Sequence, residues 1–276
     1  MPHGVAPSST FCDLCTHVLE TADPRAKANA ARKAAATWLC RNVNGRGTPV
    51  LCDRPNRPPK PDLVRPGQVP RRKINSGPQG RIALLHALAH IEFNAIDLAF
   101  DIAGRFCATS LPEAFLDDWI AVGDDEARHF LMLEDRLNTL GASYGDLPAH
   151  DGLWQAAEVT AHDLLARLAI VPMVLEARGL DVTPAMIRKL HTAGDLESAE
   201  ALQIIHDDEI GHVAVGKRWF DYLCAEQSLD PKPTWHELVR KYFKGGIKPP
   251  FNTESRDKAG LPADYYEPLA DMVRDG

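Results

Sequence analysis

From Arg81 to about Glu226, apolar residues return every three or four positions, the period at which a helix turns one face toward a core. The pattern predicts four long helices. The first runs from Arg81 to Ala103, with Gly104 as its stop. The second opens at Ser110, where Ser110, Leu111, Pro112 and Glu113 make a capping box with a proline inside it, and runs to Leu140 before Gly141. The third starts near Asp151 and ends before Gly179, and Pro172 inside it bends it or opens a turn. Thr183 and Pro184 then begin a short connecting helix that ends at Gly194. The fourth long helix runs from Asp195 to Glu226.

The flanks read differently. Thr10 to Ala22 suits a short helix, and Asp23–Pro24 supplies the cap and first residue of another that reaches Cys40. Pro49 to Gly80 is rich in proline, including Pro58, Pro59 and Pro61, and should be extended. After Glu226 come a helix over Thr234 to Phe243 and an irregular tail from Gly245 to Gly276. No segment shows the two-residue period of a strand. The expected fold is all-α. Residues 81–226 form a four-helix bundle of two pseudo-two-fold related helix pairs. Residues 1–80 wrap it at the N-terminal side, and residues 227–276 pack on it as a C-terminal helix and tail.

Four carboxylates interrupt this pattern. Glu92 shares its helix face with Leu85, Leu88, Ala89, Ala95, Ile96 and Ala99. Glu126 and His129 lie among Phe115, Trp119, Val122, Phe130 and Leu133; Glu176 lies among Leu165, Leu168, Met173 and Leu180; Glu209 and His212 lie among Leu202, Ile205, Val213 and Phe220. Burying one unpaired carboxylate costs several kcal/mol, against a typical stability of ~5–15 kcal/mol. Four would unfold the chain unless cations neutralised them, and two divalent ions supply the charge. Glu126-x-x-His129 and Glu209-x-x-His212 each present a carboxylate and an imidazole at positions i and i+3, on one helix face. Glu92 precedes Glu126 by 34 residues and Glu176 precedes Glu209 by 33, while Glu126 to Glu209 and His129 to His212 both span 83. A duplicated helix pair explains that register. The expected ligands of two metal ions are therefore Glu92, Glu126, His129, Glu176, Glu209 and His212. Carboxylate and imidazole suit iron first, with manganese or a mixed manganese–iron pair as alternatives.

Other polar residues fall nearby. Asp125 and Asp208 precede the two motifs and are expected to orient the ligands, Asp125 toward His212 and Asp208 toward His129. His206 lies one turn before Glu209, as an extra ligand, a proton relay or a hydrogen-bonded core histidine, the last two being favoured. His86, His90, Asp97 and Asp101 form a separate stripe, suited to support of the site or to contact with the N-terminal appendage. Cys12-x-x-Cys15 is half a zinc site, a redox pair, or two thiols on one face of a short helix.

The 276 residues are enough for a substantial core, and the hydrophobic share of 45% and charged share of 25% are ordinary for a globular protein. A net charge of −7 argues against a nucleic-acid partner, so tRNA is disfavoured; Pro70 to Lys73 and Lys241 to Lys248 are the only basic stretches that could bind one. No apolar run reaches the ~18 residues of a membrane span, and Met1 to Thr10 carries no signal pattern, so a cytoplasmic protein away from membranes is expected.

The segments His86 to Glu92, Asp124 to His129 and His206 to His212, with Pro58 to Arg72 and Lys248 to Asn252, resemble a bacterial ferritin-like family of unassigned function. More distantly, the chain is similar to di-iron hydroxylases, including the tRNA-modifying kind, and to rubrerythrins and ferritins. The resemblance implies the bundle and the dimetal site. It supplies no substrate; the Asp-Glu-x-x-His form at Asp125 and Asp208, similar to that of di-iron desaturases and hydroxylases, favours an oxidoreductase that activates O₂ or peroxide on an unidentified small-molecule substrate, fed by an external electron donor. A ferroxidase or iron-binding protein, or a metal-stabilised binding bundle without catalysis, is the alternative reading. A homodimer is compatible with either.

Overall fold

A computed structural model describes residues 9–49, 52–69, 77–107, 111–244 and 246–271. Among them all regular secondary structure is helical, and the one β-bridge, Leu63 to Ala149, is isolated. Ser110 of the expected capping box, the basic stretch Pro70 to Lys73 and Met1 to Ser8 lie outside the described residues. The described residues divide into two compact units: those up to Trp154, and those from Gln155 together with Gly77.

The first unit contains α1 (Phe11–Glu20), α2 (Pro24–Leu39), α3 (Pro78–Arg105) and α4 (Glu113–Thr139). Thr10 caps α1 in a full capping box with Asp13, and Asp23 caps α2 by accepting the Ala26 N–H at 2.8 Å. α3 ends at Arg105, one residue past the expected stop; a Cβ on Gly104 would come 2.9 Å from that of Cys15 on α1, so the glycine also permits close packing. A Cβ on Gly123 of α4 would likewise meet the Phe100 ring at 2.6 Å, which sets the close approach of α3 and α4.

Lys27 of α2 is fully buried, with Nζ 2.5 Å from Asp97 of α3, and Arg57 Nη1 forms a second ion pair with the other Asp97 oxygen at 2.9 Å. Burial lowers the Lys27 pKa, and Asp97 opposes that shift. Asp97 thus serves the appendage. The extended chain continues with Asn56 N–H to the Leu19 carbonyl, Arg57 to Asn94 at 2.7 Å, and Val64 N–H to the Ala149 carbonyl.

The second unit departs more from expectation. α5 (Gly152–Thr160) bridges the boundary and ends at a break, because Asp163 caps a new helix, α6 (Leu164–Ile170), by accepting the Leu165 and Ala166 N–H groups. Fully buried Arg167 closes the break by donating to Thr160 Oγ1 and the Ala157 carbonyl. Pro172 then begins a π-helical turn, Val171–Glu176, in which the Ala177 N–H reaches back five residues to the Pro172 carbonyl. A Cβ on Gly216 would come 2.3 Å from the Pro172 ring, so that ring occupies the space a side chain would need.

The third helix does not end before Gly179. α7 runs unbroken from Ala177 to Thr192 through Pro184. Proline has no N–H for the Leu180 carbonyl, and Asn252 Nδ2 donates to that carbonyl instead, at 3.2 Å. α8 (Leu196–Glu226) is capped by Asp195, and α9 (Pro231–Tyr242) by Asp230. The tail is not irregular: it forms α10 (Thr253–Lys258) and α11 (Ala263–Asp271). Buried Arg256 anchors it with two bonds to Asp181 of α7, at 2.7 and 2.8 Å.

α3 is long and apolar enough, by length and composition, to cross a membrane, although 78% of that stretch is buried inside the fold, as in a core helix.

Candidate metal centre

In the first unit, α3 contributes Glu92 and α4 contributes Glu126 and His129. All three are buried, and their ligand atoms lie within 4.8 Å of one another. His129 Nδ1 stands 3.3 Å from Glu92 Oε2 and 3.6 Å from Glu126 Oε2. The i,i+3 spacing aims Glu126 and His129 at one point, and Gly123, one turn earlier, admits Phe100 of α3 so that Glu92 can meet them.

The electrostatics are those of a site built for positive charge. Burial first, and the neighbouring Glu126 carboxylate second, hold the Glu92 pKa well above the usual carboxylate range, while His129 pulls it down. Two carboxylates and an imidazole, dry and within one coordination sphere's reach, fit a divalent transition metal, and a cation there would reverse both shifts.

In the second unit, Glu209 and His212 of α8 repeat the motif, with His212 Nδ1 3.8 Å from Glu209 Oε1. Glu176 closes the π-helical turn and is half-buried. Among the described residues, Glu176, Glu209 and His212 do not close into a three-donor group as tight as that of Glu92, Glu126 and His129.

His206 is a hydrogen-bonded core histidine: its Nε2 meets Ser255 Oγ of α10 at 3.2 Å, and burial lowers its pKa. Asp125 pairs with Arg128 on its own helix at 3.0 Å, a partner the spacing did not suggest, and Asp208 is half-exposed. His86 accepts the Gly145 N–H at 2.9 Å, and His90 bonds Tyr144 and the His150 carbonyl, so this stripe supports the loop after α4. Tyr144 was not singled out by helical periodicity because it lies in that loop. Its ring packs 5.5 Å from Phe93 and 5.3 Å from Phe130, the residues following Glu92 and His129.

An all-helical protein with a buried carboxylate–imidazole cluster is the class these observations define. The chain belongs to the family described as protein of unknown function (DUF455), whose model matches residues 20–267. It is 45% identical over 213 residues, 74% of this chain and 72% of the relative, to an uncharacterized protein of Haemophilus influenzae. No solved structure matches it.

Proposed function

We propose that this chain is a dimetal-carboxylate oxidoreductase, in which a ferritin-like bundle over residues 81–226 holds two metal ions, iron first, on Glu92, Glu126, His129, Glu176, Glu209 and His212. The observation that carries the reading is the buried meeting of Glu92, Glu126 and His129, whose ligand atoms lie within 4.8 Å of one another. The repeated motif supports it: Glu126 and His129 stand 3.6 Å apart, and Glu209 and His212 3.8 Å apart. One such half offers three donors, too few for two ions. Two halves offer four carboxylates and two imidazoles, a charge of −4 that two divalent ions balance.

When bound, such a pair of ions supplies O₂ or peroxide activation. This chain's residues supply the ligand field, exclude water and position a small-molecule substrate, and an external donor supplies electrons. The protein works in the cytoplasm, where free thiols such as its six cysteines are the ordinary state.

Elemental analysis of anaerobically purified protein tests this, followed by O₂ exposure with optical detection of an oxo-bridged diferric band. Two ions per chain and the band are expected. Trace metal only, unchanged by supplying ferrous ion, would overturn the reading. Two ions eluting in a shell of many subunits would favour iron storage over catalysis.

A further inference from the structure

The Cys12-x-x-Cys15 motif finds its partner outside itself. Cys12 on α1 and Cys107, just beyond the end of α3, place their sulfurs 2.7 Å apart with both side chains buried. The residues are 95 positions apart in the chain, so tertiary packing alone unites them. Two further contacts hold the register. Cys15, one turn along α1, packs against Gly104, one turn back along α3, where any side chain would collide with it. Arg46 grips both cysteine backbones: its carbonyl accepts the Cys12 N–H at 2.9 Å, and its guanidinium donates to the Cys107 carbonyl at 3.3 Å.

From this convergence we propose that Cys12 and Cys107 are a redox-switched pair that closes into a disulfide when a hydroperoxide oxidises it. Cys15 is the neighbour and not the partner. The step balances as a two-electron oxidation. Hydrogen peroxide converts one thiol to a sulfenic acid and releases water. The other thiol displaces the hydroxyl as a second water and forms the S–S bond. Burial selects against bulky oxidants: with Cys12 2% and Cys107 0% exposed, a disulfide such as oxidised glutathione cannot reach the sulfurs, so the oxidant proposed is a small hydroperoxide. Burial also raises the pKa of Cys12 and Cys15, which keeps these two thiols protonated and slows the reaction at Cys12. Closure would tie α1 to the end of the helix that carries Glu92.

The test uses the full chain, treated with hydrogen peroxide or with dithiothreitol, then denatured, alkylated and mapped by mass spectrometry. The proposal expects a peroxide-dependent peptide joining Cys12 to Cys107. It expects four alkylated cysteines against six after reduction. It also expects a rise in thermal midpoint of about 5–10 °C on oxidation, lost in Cys107→Ala. Gly104→Ala, which forces α1 away, should lower the yield of the joined peptide at least tenfold, while a Cys40→Ala control leaves it unchanged. Six alkylated cysteines after peroxide, or a joined peptide linking Cys12 to Cys15, would overturn it. Metal content is not a readout here, so the outcome stands apart from that of the dimetal reading.

Discussion

His129 Nδ1 of α4 faces Glu92 Oε2 of α3 across 3.3 Å, with both side chains buried. That approach brings a metal-binding nitrogen to a carboxylate that burial disfavours as an anion. Replacing either residue should therefore remove metal while sparing the fold. Glu92→Gln and His129→Ala are expected to weaken metal binding by more than ~100-fold, since even supporting residues around a metal cost 10–100-fold. Glu92→Gln should also leave the metal-free chain as stable as the parent or more so, because it deletes the repulsion with Glu126. Metal titration and thermal unfolding of the same samples check both. Unaltered stoichiometry in both variants would rule this pair out as ligands.

Gly216 and Pro172 yield a steric prediction. Gly216→Ala must displace the Pro172 ring, 2.3 Å from the new Cβ, and should cost about 1–3 kcal/mol. Gly179→Ala, on α7 with nothing within 4 Å, should be neutral or stabilising by up to about 1 kcal/mol, because helix propensity improves. Urea unfolding midpoints of the two variants separate the cases. Equal effects would show that the π turn does not depend on this contact.

Arg256 holds the tail on α7 through Asp181. Arg256→Met removes two charge-assisted bonds from buried Asp181, which keeps only Arg178 at 3.4 Å and the Asn252 N–H at 3.0 Å, and should cost about 1–3 kcal/mol. Adding Asp181→Leu should recover part of it, since no buried carboxylate is then left short of a partner. A double-mutant cycle by denaturant unfolding measures the recovery, and a purely additive result would contradict it.

His86 predicts an acid limb. Burial lowers its pKa from 6.5 to about 4 in the folded chain. The unfolded chain therefore takes up this proton first as pH falls. Its contribution to stability is complete above about pH 6.5 and declines between 6.5 and 4, at up to ~1.4 kcal/mol per pH unit. His86→Asn, which can still accept the Gly145 N–H, should flatten that decline. Urea midpoints of metal-free protein at pH 7 and pH 5 test it.

Much of the fold was legible along the chain. Helix starts at Asp23 and Asp195 were, because a capping carboxylate acts within four residues. The interrupted stripes at Glu92 and Glu126 were, because period and polarity are local. The continuation of α7 through Gly179 and Pro184 was not. Proline alone predicts a break, and only Asn252, about 70 residues later, supplies the hydrogen bond that removes it. The tail was misread as irregular for the same reason: α10 is held by Arg256 on Asp181 rather than by its own periodicity.

By itself, then, the sequence determined that this protein is helical and which side chains are too polar for the faces they occupy. Helix propensity, capping and amphipathic period act over a turn or two and need no partner. Tertiary structure alone decided which groups meet: Glu92 with His129, Lys27 with Asp97, Pro172 with Gly216, Cys12 with Cys107. Those meetings depend on the close approach of helices, which a glycine or a distant hydrogen bond permits and which no local pattern encodes.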